Sequence, residues 1–428
     1  MFEDDSKTDE TALRSGERTA QARSTAETAA RHSYGKLVAF LAARSGDLAA
    51  AEDALSEAFV KALEDWPRNG CPINPEAWLL TVARRKIIDM VRRRRTHEAA
   101  VAHGDLGAEW LGATDDPSIP DQRLALMFAC AHPAIDASIR APLILQVVLG
   151  FNAQMIASAF LTSPATMGQR LVRAKSKIKR ARIPFRVPEP EELSSRLDGV
   201  LEAIYAAFAE GWSDPGATDA ARRDLAEEAM FLGTLVTELL PDEPEPLGLL
   251  ALMLHAEARR GARRSAQGDY VPLDEQDINS WDSQLIRRAE SLLARAGEMR
   301  RPGRYQLEAA LQSAHVYRHA SGVSNWPAVV ELYDALLSLT GSPVVAMNRA
   351  IAVAKVDGPE AALQELDRIA DARLLEYQPY WAARAELLSN MGSVDKARHA
   401  YEIAIGLERD PAVRRFLERR MKRLSAEC

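Results

Sequence analysis

At 428 residues the chain has room for two or three domains with sizeable cores, so a small fold held by disulfides or metal is excluded. Its 47 % hydrophobic, 27 % charged and only 6 % aromatic content favours packed helices over sheets and rules out a collagen-like or wholly disordered polymer. The formal net charge of -7 would argue against a nucleic-acid partner only if charge were evenly spread, and it is not.

The start, MFEDDSKTDE, is acidic and polar where a secretory signal is basic and then apolar, and no apolar run of about 18 residues follows. Cys71, Cys130 and Cys428 form no CxxC pair. These features predict a soluble cytoplasmic protein without a membrane partner. Residues 1–29 lack a periodic apolar stripe and read as a flexible tail.

Helical periodicity begins near Ala30. Leu48, Ala51, Leu55, Ala58, Phe59, Ala62 and Trp66 recur at three- and four-residue steps behind Asp47 as N-cap, which gives an amphipathic helix with an acidic outer face. WPRNGCPINP, Trp66 to Pro75, is a loop, after which Asn74 caps a helix with Pro75 at its first position. Over residues 84–95 of that helix Arg84, Arg85, Lys86 and Arg92 to Arg95 set seven cations against the single acid Asp89. Trp78 beside them can either join the core or stack an unpaired base. Residues 98–121 carry six acids and no Lys or Arg, together with several Gly and Pro, and read as an acidic linker.

From Gln122 the pattern is helical again. Between Leu149 and Arg182 two short helical segments flank LTSP, with Ser163 capping the second and Pro164 in its first turn, the spacing of a helix-turn-helix. On the second helix Met167, Leu171, Ala174 and Ile178 share one arc, and Thr166, Gln169, Arg173 and Lys177 share the opposite one. Residues 164–186 hold eight Lys or Arg and no acid. A second helix of this kind enters the major groove of duplex DNA, where Arg and Gln pair with base edges and Lys neutralises phosphate. Ser163, Thr166, Gln169, Arg170, Arg173 and Lys177 are the candidate contacts.

Beyond the break RIPFRVPEPEE, residues 187–428 are helical. Ala350, Val353, Ala362, Leu366 and Ile369 repeat at an offset of 35 as Ala385, Leu388, Ala397, Tyr401 and Ala404, close to the ~34 residues of a tetratricopeptide unit. A helical array of this kind presents a concave surface to a protein or peptide ligand. No P-loop, GxSxG, HExxH, EF-hand or dinucleotide motif occurs, so neither an enzyme nor a cofactor is expected. His315 and His319 lie four apart without a third ligand nearby, and no metal site is expected there.

AAAEDALSEAFVKALEDWP, PEAWLLTVARRKIIDMVRRRR and, after the acidic spacer, GFNAQMIASAFLTSPATMGQRLVRAKSKIKRARI resemble regions two and four of an extracytoplasmic-function sigma factor of the sigma-70 family. LEAIYAAFAEGW, LLPDEPEPLGLLALMLHAEARR, YVPLDEQDINSW and GRYQLEAALQSAH resemble the subgroup with a C-terminal tetratricopeptide-like extension. The resemblance implies an all-α chain: a region 2 domain at 30–97, the linker at 98–121, a region 4 helix-turn-helix domain at 122–186, and a helical-repeat domain from 187.

It further implies a bacterial transcription-initiation factor whose partners are core RNA polymerase and promoter DNA, duplex and melted. Glu52, Asp53, Leu55 and Glu57 would dock on the polymerase, with Asp53 and Glu57 facing its basic residues and internal packing the alternative for Leu55. Arg68, Asn69, Trp78, Arg84, Arg85, Lys86, Asp89 and Arg92 would contact the minus-ten element, and the helix-turn-helix residues the minus-thirty-five element. The linker corresponds to the segment threaded toward the RNA exit, or is a plain tether. The helical extension would control or complete this activity. On the residues alone, a repeat-domain scaffold or signal-responsive helix-turn-helix regulator that never acts as a sigma subunit stays open.

Overall fold

The computed structural model describes residues 4–45, 47–98, 121–181, 183, 188–212 and 220–424. Among them there is no strand, only an isolated antiparallel bridge between Arg264 and Tyr270, so the chain is all-α. No helix among the described residues is long and apolar enough to cross a membrane. The chain divides into two compact units, residues 1–203 and 204–428.

The first unit begins with a bundle of α1 (Asp4–Ser45), α2 (Leu48–Asn69) and α3 (Pro75–Glu98), each packed on the other two. The apolar stripe predicted for α2 is its buried face, where Leu48, Ala51, Ala54, Leu55, Ala58, Ala62 and Trp66 meet Leu37, Leu41, Leu79 and Ala83 of the same core. Alanines dominate that face, so the helices approach closely. Asp47 caps α2 through the Ala50 amide at 3.0 Å, and Asn74 caps α3 through the Ala77 amide at 3.0 Å.

Residues 1–29, expected as a flexible tail, are instead helical from Asp4 onward. Ala22, Ala26 and Ala29 are buried. Their spacing is helical, but a stripe only one alanine wide carries too little hydrophobicity to stand out among charged neighbours. Residues 99–120, almost all of the acidic linker, lie outside the described residues.

The unit continues with α4 (Gln122–Cys130), α5 (Ala137–Val147), α6 (Ala153–Ala159) and α7 (Pro164–Ala181). Leu124, Met127, Phe128, Leu143, Ile144, Leu145 and Ile156 are fully buried. The short α8 (Pro190–Leu193) and α9 (Leu197–Trp212) follow. The segment after 186, expected to open the repeat domain, stays with the first unit as far as Ala203: buried Arg196 donates to the Phe128 carbonyl at 3.2 Å.

The two helical modules of this unit meet where α1 passes the end of α5. A Cβ on Gly35 would lie 1.8 Å from the Val148 carbonyl oxygen, so only glycine permits the contact.

The second unit contains α10 (Ala220–Leu239), α11 (Pro244–Ala258), α12 (Ser283–Glu298), α13 (Arg304–Ser321), α14 (Trp326–Thr340), α15 (Pro343–Ala354), α16 (Pro359–Arg368), α17 (Gln378–Asn390), α18 (Val394–Leu407) and α19 (Pro411–Leu424). Helix α11 is buried on almost every side and packs on α10, α12 and α13. Its Glu245 accepts from the Tyr305 and Gln306 amides at 2.9 and 3.2 Å, and so caps α13 from a distant part of the chain.

From α15 onward successive helices pack pairwise. The starts of α15 and α17, and of α16 and α18, are each 35 residues apart. Ala350, Val353, Ala362 and Leu366 are buried, as are their partners Ala385, Leu388, Ala397 and Tyr401.

Two histidines of this unit are held neutral. His255 is pushed down to about 4 by burial and by Arg259. His315 is pushed down to about 4 by burial, then by Arg318 and Arg259. The unfolded chain therefore binds more protons than the folded one between about pH 4 and the ordinary histidine value of ~6.5. Stability is full above that window and is lost as pH falls through it. Urea midpoints should accordingly decline from pH 7 to pH 5, and His315→Gln should flatten the decline; an unchanged slope would contradict buried neutral imidazoles.

Candidate nucleic-acid interface

The helix-turn-helix is set by local chemistry. Asn152 caps α6 through the Met155 amide at 2.9 Å, and Ser163 caps α7 through the Thr166 amide at 3.2 Å. Between them Leu161 takes φ 47°, the left-handed region usually left to glycine, while the Thr162 amide reaches back to the Ala157 carbonyl at 3.0 Å. That turn closes α6 and aims α7.

Met167, Leu171, Ala174 and Ile178 bury one face of α7, and Thr166, Gln169, Arg173 and Lys177 are exposed on the other. The two faces are those read from the sequence. Ser163 and Thr166 are partly committed, since their hydroxyls lie 2.8 Å apart at the cap. Arg170 points elsewhere than expected: its guanidinium donates to the Ser138 carbonyl at 3.0 Å and hydroxyl at 2.7 Å, which ties α7 to the start of α5. Exposed Val172 belongs to the outer face and was not singled out in the sequence.

In the first bundle Asp53 and Glu57 are exposed. Leu55 is a correction: it is fully buried between α2 and its neighbours, and a surface docking role is closed to it. Glu57 pairs with Lys86 of α3, so two side chains expected to serve different partners meet each other. Both remain substantially exposed, and such a pair is weak enough to be exchanged.

Arg85 and Asp89 are exposed on α3, and Arg84 is half-buried. The Arg92 side chain lies outside the described residues. Trp78 is half-buried and sits edge-on to buried Trp66, with ring centroids 5.5 Å apart, so it is partly core and partly surface.

The α2–α3 loop has a cavity at its base. About 340 Å³ is lined by Arg18, Gln21, Trp66, Arg68, Asn69, Gly70 and Cys71, at the small end of the ~300–1,000 Å³ typical of ligand pockets. Asn69 is held by Asp65 at 2.8 Å, and Arg68 is exposed at the rim. Arg18 and Gln21 come from the segment read as a tail, and nothing in their local pattern signals a wall of this cavity.

Glu52 has a different partner from the one expected. Its carboxylate receives two hydrogen bonds from Lys175 of α7, at 2.9 and 3.0 Å, with both side chains largely buried. Beside the pair, a cavity of about 510 Å³ is lined by Tyr34, Ser56, Gln146 and Phe151. Burial and then Glu52 raise the Tyr34 hydroxyl, and the same two causes raise the buried Cys130 thiol. The ion pair joins the acidic helix α2 to the basic helix α7.

Residues 30–97 match the family model for sigma-70 region 2. Residues 196–297 match a family of unknown function (DUF6596). An uncharacterized protein of Rhizobium meliloti (strain 1021) is 37 % identical over 383 residues, 88 % of this chain and 90 % of that protein. No solved structure matches the chain.

Removing either partner of the Glu52–Lys175 bond should cost about 1–3 kcal/mol, with a coupling of similar size between Glu52→Gln and Lys175→Met. A double-mutant cycle on urea midpoints measures it, and additive effects would show that the two side chains do not interact in solution.

Proposed function

We propose that the chain, whose residues 30–97 match sigma-70 region 2 and which shares a family with the uncharacterized Rhizobium meliloti protein, is an RNA polymerase sigma factor of the extracytoplasmic-function type. The observation that carries this reading is an ordered pair within one compact unit: a region 2 bundle, then a helix-turn-helix whose exposed face bears Gln169, Arg173 and Lys177.

In this reading the exposed acids Asp53 and Glu57 of α2 dock on core polymerase, joined by Glu52 once Lys175 releases it. Arg84, Arg85 and Lys86 hold the phosphates of the minus-ten element. The cavity under the α2–α3 loop accepts an unstacked base, with Arg68 and Asn69 at its rim and the Trp66–Trp78 pair behind it.

No covalent chemistry is needed, because strand opening is driven by binding. Each captured base offers about 1–3 kcal/mol of stacking, against a few kcal/mol for each step unstacked. The remainder comes from phosphate contacts, which makes the process salt-dependent. Upstream, Gln169 and Arg173 read base edges of the minus-thirty-five duplex, and Lys177 binds phosphate. The acidic segment 98–121 follows the polymerase channel toward the RNA exit.

The second unit is, in this proposal, tetratricopeptide-like, a reading supported by its 35-residue helix spacing, and it completes the sigma module. A helical array of this kind would present a concave surface to a protein or peptide partner.

Arg84→Ala, Arg85→Ala and Lys86→Ala combined should reduce heparin-resistant open complexes at least tenfold while leaving core-polymerase pull-down intact; equal losses would contradict the assignment. Gln169→Ala or Arg173→Ala should relax discrimination at single upstream positions by about 1–3 kcal/mol each, measured by competition with mutated promoters. A chain ending at residue 203 should lose reporter activity, and a gain would mean that the second unit shields the sigma module instead.

A further inference from the structure

Four segments of the second unit end on one cluster. LEAIYAAFAEGW ends at Trp212, and LLPDEPEPLGLLALMLHAEARR ends at Arg259 and Arg260. GRYQLEAALQSAH supplies Gln312 and His315, and the turn after α11 adds Arg263 and Arg264. The sigma reading uses none of these residues.

The Arg263 guanidinium lies 3.6 Å from the centre of the Trp212 ring, and Arg259 lies 5.1 Å from it. Arg263 donates to the Trp212 carbonyl at 2.8 Å, and Arg259 to the Gln312 side-chain oxygen at 3.2 Å. Arg260 has Glu257 at 2.7 Å, Arg264 has Asp410, and Arg318 nearby has Asp274 at 3.1 Å. Arg259 and Arg263 have no carboxylate partner among the described residues.

Two guanidinium groups are thus largely withdrawn from water beside one another with no carboxylate partner among the described residues. Burial first, and then Arg259, push Arg263 down to about 10. Buried nitrogens stay unused around them: the donors Nε of Arg259, Nη2 of Arg260 and Nη1 of Arg264, together with Nδ1 of His315. His255 and His315 are neutral and cannot add to the repulsion. Charged groups buried in this way ordinarily have a partner, and unused donors ordinarily have an acceptor.

Trp212, Arg259, Arg263, Gln312 and His315 are each part-buried and not fully enclosed. Paired guanidinium forks match the planar or tetrahedral oxygens of an oxyanion. We propose that Arg259 and Arg263, backed by Trp212 and Gln312, form a binding site for a small ligand bearing a carboxylate or phosphate group. The site lies within the second unit and does not depend on the sigma assignment.

The full-length protein is titrated by calorimetry with inorganic phosphate and, separately, with citrate, in buffers matched to equal ionic strength with sodium chloride. Saturable binding of either anion supports the site, and the arm that saturates identifies the oxyanion class. Affinity should fall at least tenfold in Arg259→Gln/Arg263→Gln and remain unchanged in Arg288→Gln, on the exposed face of α12. Should the double variant fail to fold by circular dichroism, Arg263→Lys takes its place. It keeps the charge but loses the fork, and should weaken binding several-fold. Saturation by neither anion, or equal affinity in the folded arginine variant and the parent, would overturn the proposal.

Discussion

The first unit depends on a close backbone contact at Gly35. With a hydrogen where any other residue carries a Cβ, α1 comes against the Val148 carbonyl at the end of α5, and the bundle of α1 to α3 is thereby seated on the helix-turn-helix module. The Glu52–Lys175 bond stands on the same side of the molecule and adds direction to a contact that packing alone would leave free to slide. Both features come from residues far apart in the chain.

This seating bears on the proposed function. In the proposed function the acidic face of α2 meets polymerase and the basic helix α7 meets duplex DNA, and here part of each is spent on the other. Glu52 and Lys175 are mostly buried, so their exchange for outside partners involves moving the modules as well as breaking a bond. The exposed Glu57–Lys86 pair is different in kind: water already competes for both charges, and a new partner displaces little.

The second unit handles charge in another way. Glu245 spends its carboxylate on the amides that begin α13, Asp282 caps α12, and Arg349 and Arg384 find acids on neighbouring helices. Against that background Arg259 and Arg263 beside Trp212, with no carboxylate partner among the described residues, stand apart. They occur where the segments between and at the ends of helices converge, not in the regularly spaced array of α15 to α18, whose small buried residues serve packing.

The sequence by itself determined the helical class, the caps at Asp47, Asn74 and Ser163, the buried and exposed faces of α7, and the 35-residue offset. Each of these is written in local spacing, because a helix places residues three and four apart on one face and a cap acts within one turn. It also marked the basic and acidic stretches.

Tertiary structure decided the rest. Residues 4–29 proved helical because a thin alanine stripe gains its stability from the surface it meets, which no local pattern reveals. Leu55 went to the core, Arg170 to Ser138, Glu52 to Lys175, and Arg18 to the wall of a cavity. A long polar side chain can satisfy its charge in several directions, and only the arrangement of distant helices selects among them.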